Sequence, residues 1–140
     1  MKLLTCFLCI LTASCTVIAA PQNSSGVPVS ITPIETYRVN DHLVRIIKHN
    51  MELEPKVELE FFQPPEMNLK GYLTITSVKT SEREYVFKKS DGVFVEDIQV
   101  NKEGVEITFE YYIPKGDTVT LACNVPVTEK GFNPIICNKK

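Results

Sequence analysis

Cysteine is the residue type in this chain with the widest chemistry, because its thiolate can act as a nucleophile, a redox group or a metal ligand. Of five cysteines, Cys6, Cys9 and Cys15 fall in an apolar N-terminal segment, which leaves Cys123 and Cys137. This pair has no histidine at metal-ligand spacing. In an oxidising compartment two remaining cysteines most simply bond to each other, so we predict a Cys123–Cys137 disulfide. The chain-entropy model assigns such a short closed loop about 3 kcal/mol of stabilisation.

Histidine offers a second route to chemistry, as a general base or a metal ligand. The chain has only His42 and His49, and neither accompanies a nucleophile elbow, a metal-binding histidine pair or a glycine-rich phosphate loop. We therefore interpret both histidines as solvated surface residues. The prediction is a non-enzymatic chain with no catalytic residue, no metal site and no cofactor.

Four glutamates form a further candidate site. Glu52, Glu54, Glu58 and Glu60 share one face if the strand that contains them is continuous. Such a stripe could meet a basic partner or weakly hold Ca²⁺. The alternative is a solvated outer face with Lys56 interleaved among the acids. Glu58 and Glu60 are retained as candidate interaction residues.

An unusual tyrosine stands on the polar face of a strongly patterned strand. Apolar residues occupy every second position from 105 to 113, which is the period of a half-buried strand, and Tyr112 falls among the polar residues between them. An exposed tyrosine is favoured at interfaces. Cross-strand packing over Thr118 or Thr120 would also explain it. Tyr112 and its neighbour Glu110 are the other two candidate interaction residues.

This strand belongs to the hairpin around which the chain is organised. Pro114-Lys115-Gly116-Asp117 has the composition of a tight turn, and residues 118–125 alternate again, with Val119, Leu121, Cys123 and Val125 on one face. The hairpin thus has one apolar face, and it needs a second layer to cover that face.

Further strands are predicted on both sides of the hairpin. Short extended pieces at 27–31 and 34–39 are punctuated by prolines, and alternating segments follow at 53–61 and 71–79. Residues 84–125 are interpreted as a four-stranded antiparallel meander that includes an Asp91-Gly92 hairpin turn. Residues 41–51 fit a short amphipathic helix or a strand buried on both faces equally well.

Together these segments predict an all-β fold, an antiparallel β-sandwich or small barrel with a four-stranded meander and, as an option, one short helix near residues 41–51. An immunoglobulin domain is disfavoured, because the chain has no tryptophan and Cys123 and Cys137 are too close in sequence to link two facing strands.

The N-terminal residues predict export. Residues 1–20 combine Lys2, an apolar run and small residues at Ala19 and Ala20, the pattern of a secretory signal peptide. Residues 21–26 are expected to be a flexible lead-in, within which Asn23-Ser24-Ser25 is an acceptor sequence for N-linked glycan. Residues 27–140 then form a single β-rich domain of a secreted, extracellular protein.

Composition and charge limit the classes of partner that the chain could bind. The formal net charge is −2 with no basic patch, which argues against nucleic acid, and no later stretch is apolar enough to span a membrane. We predict a secreted interaction domain that binds another extracellular protein through a sheet face or end loops. The alternative is a carrier of a lipid or other small hydrophobic ligand, with Phe61 or Phe87 lining its cavity.

Overall fold

A computed structural model describes residues 30–140, and nearly all of its regular structure is β-strand. The predicted signal peptide, the lead-in and the Asn23 glycosylation site lie outside the described residues. The first four strands form one antiparallel sheet in sequence order, a four-stranded meander. They are β1 (Ile31–Val39), β2 (His42–His49), β3 (Val57–Gln63) and β4 (Asn68–Ile75).

A second antiparallel sheet contains the predicted hairpin. Its strands are β7 (Gly92–Val100), β8 (Gly104–Tyr112), β9 (Thr118–Thr128), β10 (Gly131–Phe132) and β11 (Ile136–Lys139). A short two-stranded ribbon, β5 (Ser77–Lys79) with β6 (Glu84–Val86), precedes this sheet in the chain. Within the second sheet the strand order is β10-β9-β8-β7, and β11 also pairs with β9.

One hydrophobic core lies between the two sheets. Alternate residues of β8 and β9 point into it, as the sequence pattern predicts, and they meet the buried faces of β2 and β3. Aromatic contacts connect the layers, because Phe61 of β3 lies edge-on to Phe132 of β10 with ring centroids 6.0 Å apart. The all-β antiparallel fold is confirmed. Within residues 30–140 the sheets remain open and close no barrel.

Most of residues 41–51 form the strand β2, so the helix alternative for this segment is wrong. His42–His49 pairs with β1 on one side and β3 on the other. A strand in the interior of a sheet satisfies its backbone hydrogen bonds on both edges, and its two faces can both be apolar. Ile46 and Ile47, which point to opposite faces, are both buried for this reason.

The predicted meander over residues 84–125 is wrong at its first strand. Glu84–Val86 pairs with Ser77–Lys79 instead of β7, and a short 3₁₀ helix, Phe87–Lys89, separates it from β7. Gly92 therefore begins β7 directly after Asp91, and among the described strands this pair closes no hairpin. The prediction failed because a local turn signal does not specify which of two neighbouring strands will pair.

The two C-terminal cysteines lie on directly paired strands. Cys123 of β9 stands opposite Cys137 of β11, with Cα atoms 4.0 Å apart and both side chains buried. The structure joins their sulfur atoms, which is compatible with the predicted disulfide. The bond would hold the short last strand against the sheet.

Candidate functional site

Two exposed aromatic rings meet on the outer face of the second sheet. Tyr112 ends β8 and is 37% exposed, and Phe94 of β7 is 40% exposed. Their rings make an edge-to-face contact with centroids 5.7 Å apart. We call these two residues the Phe94–Tyr112 patch. Tyr112 lies opposite Thr118, as one alternative predicted, but its aromatic contact is with Phe94.

Strand register explains how the two rings come together. Tyr112 is directly opposite Gly92, and Phe94 is opposite Glu110. The absence of a side chain at Gly92 leaves room for both rings, since a Cβ there would lie 3.3 Å from the Phe94 ring and 3.8 Å from the Tyr112 ring. The patch is therefore a diagonal cross-strand pair.

Asp91 fixes the start of β7 beside the end of β8. Its backbone N–H donates to the Tyr112 carbonyl at 3.0 Å, and its carboxylate accepts a hydrogen bond from the Lys115 N–H at 3.2 Å. These bonds tie the entry to β7 to the turn that follows β8. The Phe94–Tyr112 patch consequently stands on paired strands instead of a free loop.

Carboxylates surround the patch. A hydrogen bond with Glu110 raises the pKa of Tyr112, and the negative charges of Glu110 and Glu96 act in the same direction. A phenol with a pKa of 10 or above is protonated at neutral pH, so Tyr112 is a hydrogen-bond donor there. The structure thus brings together two of the predicted interaction residues, Tyr112 and Glu110, and adds Phe94 and Glu96.

The other two predicted interaction residues lie on the opposite sheet and are paired within the chain. Glu60 accepts a 2.5 Å contact from Arg45 on the neighbouring strand. Glu58 lies 2.8 Å from the Lys56 ammonium. Both carboxylates are thus neutralised by neighbours, which leaves them less free to attract a basic partner.

The predicted four-residue acidic stripe is not continuous. β3 begins at Val57, so Glu52 and Glu54 belong to the preceding turn and do not extend the face of the strand. Glu54 still approaches this face, because Lys56 lies 2.8 Å from it as well as from Glu58. The outcome is a compact charge cluster in place of a stripe.

His49 belongs to this cluster, and its interpretation as a solvated residue is wrong. Only 4% of the residue is exposed, and its two ring nitrogens lie 3.2 Å from carboxylate oxygens of Glu54 and Glu58. These contacts have ion-pair distances without the alignment of hydrogen bonds. His42 is also half-buried, with its ring 4.7 Å from that of Phe61. Both histidines are shielded from solvent because β2 lies between β1 and β3 in the interior of the sheet.

The cluster alters the acidity of its carboxyl groups. Hydrogen bonds from Lys56 and Ser30 lower the pKa of Glu54 to about 2. Burial by itself raises the pKa of Glu58, but polar contacts with Lys56, Tyr72 and His49 outweigh burial and lower it. Carboxyl groups with lowered pKa values stabilise the fold above their ordinary pKa near 4.5 and lose that contribution as the pH falls through the folded-state value.

We therefore expect the free energy of unfolding to decrease as the pH is lowered from about 5 to about 2. The decrease should be less steep in Lys56→Gln than in the wild type. Removal of Lys56 deprives Glu54 and Glu58 of the cation that favours their ionised forms. Urea unfolding across this pH range measures the difference. Lys130→Gln, at an exposed lysine, is the control and should follow the wild type. Equal pH dependence in all three proteins would contradict the role assigned to Lys56.

The two residues named for a carrier cavity lie in the core. Phe61 and Phe87 are fully buried, and Phe87 packs against Phe109 with ring centroids 5.0 Å apart. Their surroundings are other core side chains of the two sheets. The carrier alternative remains a prediction.

Within residues 30–140, no three histidine, cysteine or acidic side chains are grouped so that they could hold a metal ion. The same residues include no helix with the length and apolar character needed to cross a bilayer.

Comparison with known proteins yields no matching family model, no similar curated protein and no similar solved structure.

Proposed function

We propose that this protein is a secreted, non-enzymatic module that binds another extracellular protein through the Phe94–Tyr112 patch. The observation that carries the proposal is an exposed aromatic pair on a face that is otherwise mostly polar. Tyrosine and other aromatic side chains are enriched at protein interfaces, and tyrosine is a frequent hot-spot residue.

The position of the patch supports this function. Its two residues are held on paired strands, so they lose little conformational freedom when a partner covers them. The phenol of Tyr112 and the carboxylate of Glu110 add a polar rim beside the apolar rings. An apolar centre with a polar rim is the usual composition of an interface.

The test begins with capture of binding proteins from the extracellular fluid of the source. We expect Tyr112→Ala and Phe94→Ala each to weaken binding of a captured partner by more than about 1 kcal/mol, roughly a fivefold increase in Kd, because each removes half of the aromatic contact surface. Titration calorimetry measures the affinity. Circular dichroism should show an unchanged fold, since both side chains are partly exposed.

Tyr72→Ala is the matched control. Tyr72 is 53% exposed but lies on β4 in the other sheet, so its loss should leave partner binding unchanged. If Tyr72→Ala weakens binding and the two patch variants do not, the binding face is the first sheet and the proposal fails. Release of a stoichiometric lipid on extraction, with normal partner binding by both patch variants, would favour the carrier.

A further inference from the structure

The two sheets approach each other differently at their two sides. On one side β4 contacts β10, and the Cα of Gly131 lies 3.9 Å from the position that a Cβ on Gly71 would occupy. On the other side are β1 and β7, the terminal strands of their sheets. A cleft of about 300 Å³ separates Glu35 and Tyr37 of β1 from Val95 and Asp97 of β7. The sandwich is therefore open along β7.

This cleft continues along the length of β7. Val95 and Lys48 connect it to a second depression of about 320 Å³, and Phe94 and Met51 connect that one to a third of about 390 Å³. We call the three together the β7 groove. The groove reaches from Asp91, just before the strand, to Ile98 near its end, and Phe94 lines two of its three parts.

The backbone of β7 offers hydrogen bonds to an occupant of the groove. Among the described residues only β8 pairs with β7, so one edge of β7 has no ladder partner. Its register shifts between Val95 and Asp97, which divides the strand into two regular stretches, Gly92–Val95 and Asp97–Val100. The groove runs past the whole of Gly92–Val95 but ends at Ile98 in the second stretch. The facing edge of β1 is less suitable, because Pro33 lacks an N–H there.

The groove is negatively charged. Its lining includes more carboxylates than lysines, and none of these carboxylates forms an ion pair within residues 30–140. The carboxylates are Glu35, Glu52, Asp91, Glu96 and Asp97, and the lysines are Lys48 and Lys88. An occupant with positive charge complements this lining.

We propose that an extended, basic segment of a partner protein binds in the β7 groove and adds a strand beside Gly92–Val95. Backbone hydrogen bonds to the free edge would hold the segment, and Phe94 would contact its apolar side chains. Lysine or arginine side chains would reach Asp91 and Glu52 at one end and Glu96 and Asp97 at the other. This inference rests on the proposed function, and it specifies the chemistry of the partner.

The test uses the protein from residue 21 onward. The first peptide has blocked ends and about eight residues, a length within the usual range for strands, and lysine alternates with valine along it. A second peptide carries glutamate in place of lysine, and a third carries N-methyl groups on alternate backbone nitrogens. We expect the lysine peptide to bind with an affinity that falls as salt rises, and both other peptides to bind at least about tenfold more weakly.

Two further measurements locate the bound peptide. Hydrogen exchange should slow by about tenfold at alternate amides of Gly92–Val95 and remain unchanged in β4, which ends the other sheet. Glu96→Lys with Asp97→Lys should weaken lysine-peptide binding by about tenfold. The control, Glu82→Lys with Glu129→Lys, makes the same change in net charge at exposed positions outside the groove and should have little effect.

Each contrary result overturns the inference. Equal binding of the lysine and glutamate peptides would remove the charge argument, and binding without protection of β7 amides would place the peptide elsewhere. Protection that appears with rising protein concentration and no peptide would assign the edge to a second copy of the chain. In each of these cases the proposed function still stands or falls on partner binding by Tyr112→Ala, because Tyr112 does not line the groove.

Discussion

Replacement of Phe109 by alanine is expected to lower the free energy of unfolding by about 3–5 kcal/mol, the range for large aromatic deletions in cores. Phe109 is fully buried at the centre of β8, with Val95 and Leu121 opposite it on the neighbouring strands. Its ring also packs on that of Phe87. Truncation would leave a cavity bounded by two strands and the 3₁₀ helix, none of which can easily move to fill it.

The adjacent residue provides the control for this measurement. Glu110 points to the outer face of the same strand, so Glu110→Ala should change stability by less than about 0.5 kcal/mol. Urea unfolding of both variants gives the two free energies. If Glu110→Ala proves the more damaging, the facing of the whole β8–β9 hairpin is opposite to the one described.

Gly104→Ala is expected to cost roughly 3 kcal/mol or more. Gly104 begins β8 with φ 155°, and a Cβ there would lie 2.2 Å from the Val125 carbonyl oxygen and 2.9 Å from the Cα of Pro126. These are backbone atoms of the paired strand, so rotation of a side chain cannot relieve the clash. The pairing of β8 with β9 would have to shift, and thermal unfolding should report the loss.

Gly116→Ala separates the clash from the cost of a positive φ. Gly116 has φ 122°, but nothing lies within 4 Å of the position that its Cβ would take. Its substitution should therefore cost only the conformational strain, about 1 kcal/mol. Similar losses for the two variants would show that the β8–β9 pairing accommodates the extra atom.

Local alternation in the sequence was sufficient to predict which face of the β8–β9 hairpin is buried. Successive side chains of a strand point to opposite faces whatever the rest of the chain does, so the apolar positions of residues 105–125 identified the buried face. The same reasoning placed Tyr112 and Glu110 on the polar face, where the structure has them. Turn chemistry likewise placed the reversal between β8 and β9.

Which strands pair with each other could not be predicted from the sequence. β6 pairs with β5 although the Asp91-Gly92 signal favoured β7, and the strand character of residues 41–51 depends on neighbours that cover both of its faces. The burial of His49 has the same origin, since its surroundings come from a strand and a turn that follow it in the chain. A periodic pattern describes one segment and carries no information about which segment lies beside it.

The alternation and turn signals in the sequence were enough to predict an all-β chain, the buried face of the β8–β9 hairpin and the polar location of Tyr112. The packed fold was needed to show that Phe94 contacts Tyr112, that Glu58 and Glu60 form ion pairs within the chain, and that the sandwich is open along β7. The difference arises because the buried face of a strand follows from the alternation of its own side chains. Contacts across strands follow from register and sheet packing, to which residues far apart in the chain contribute together.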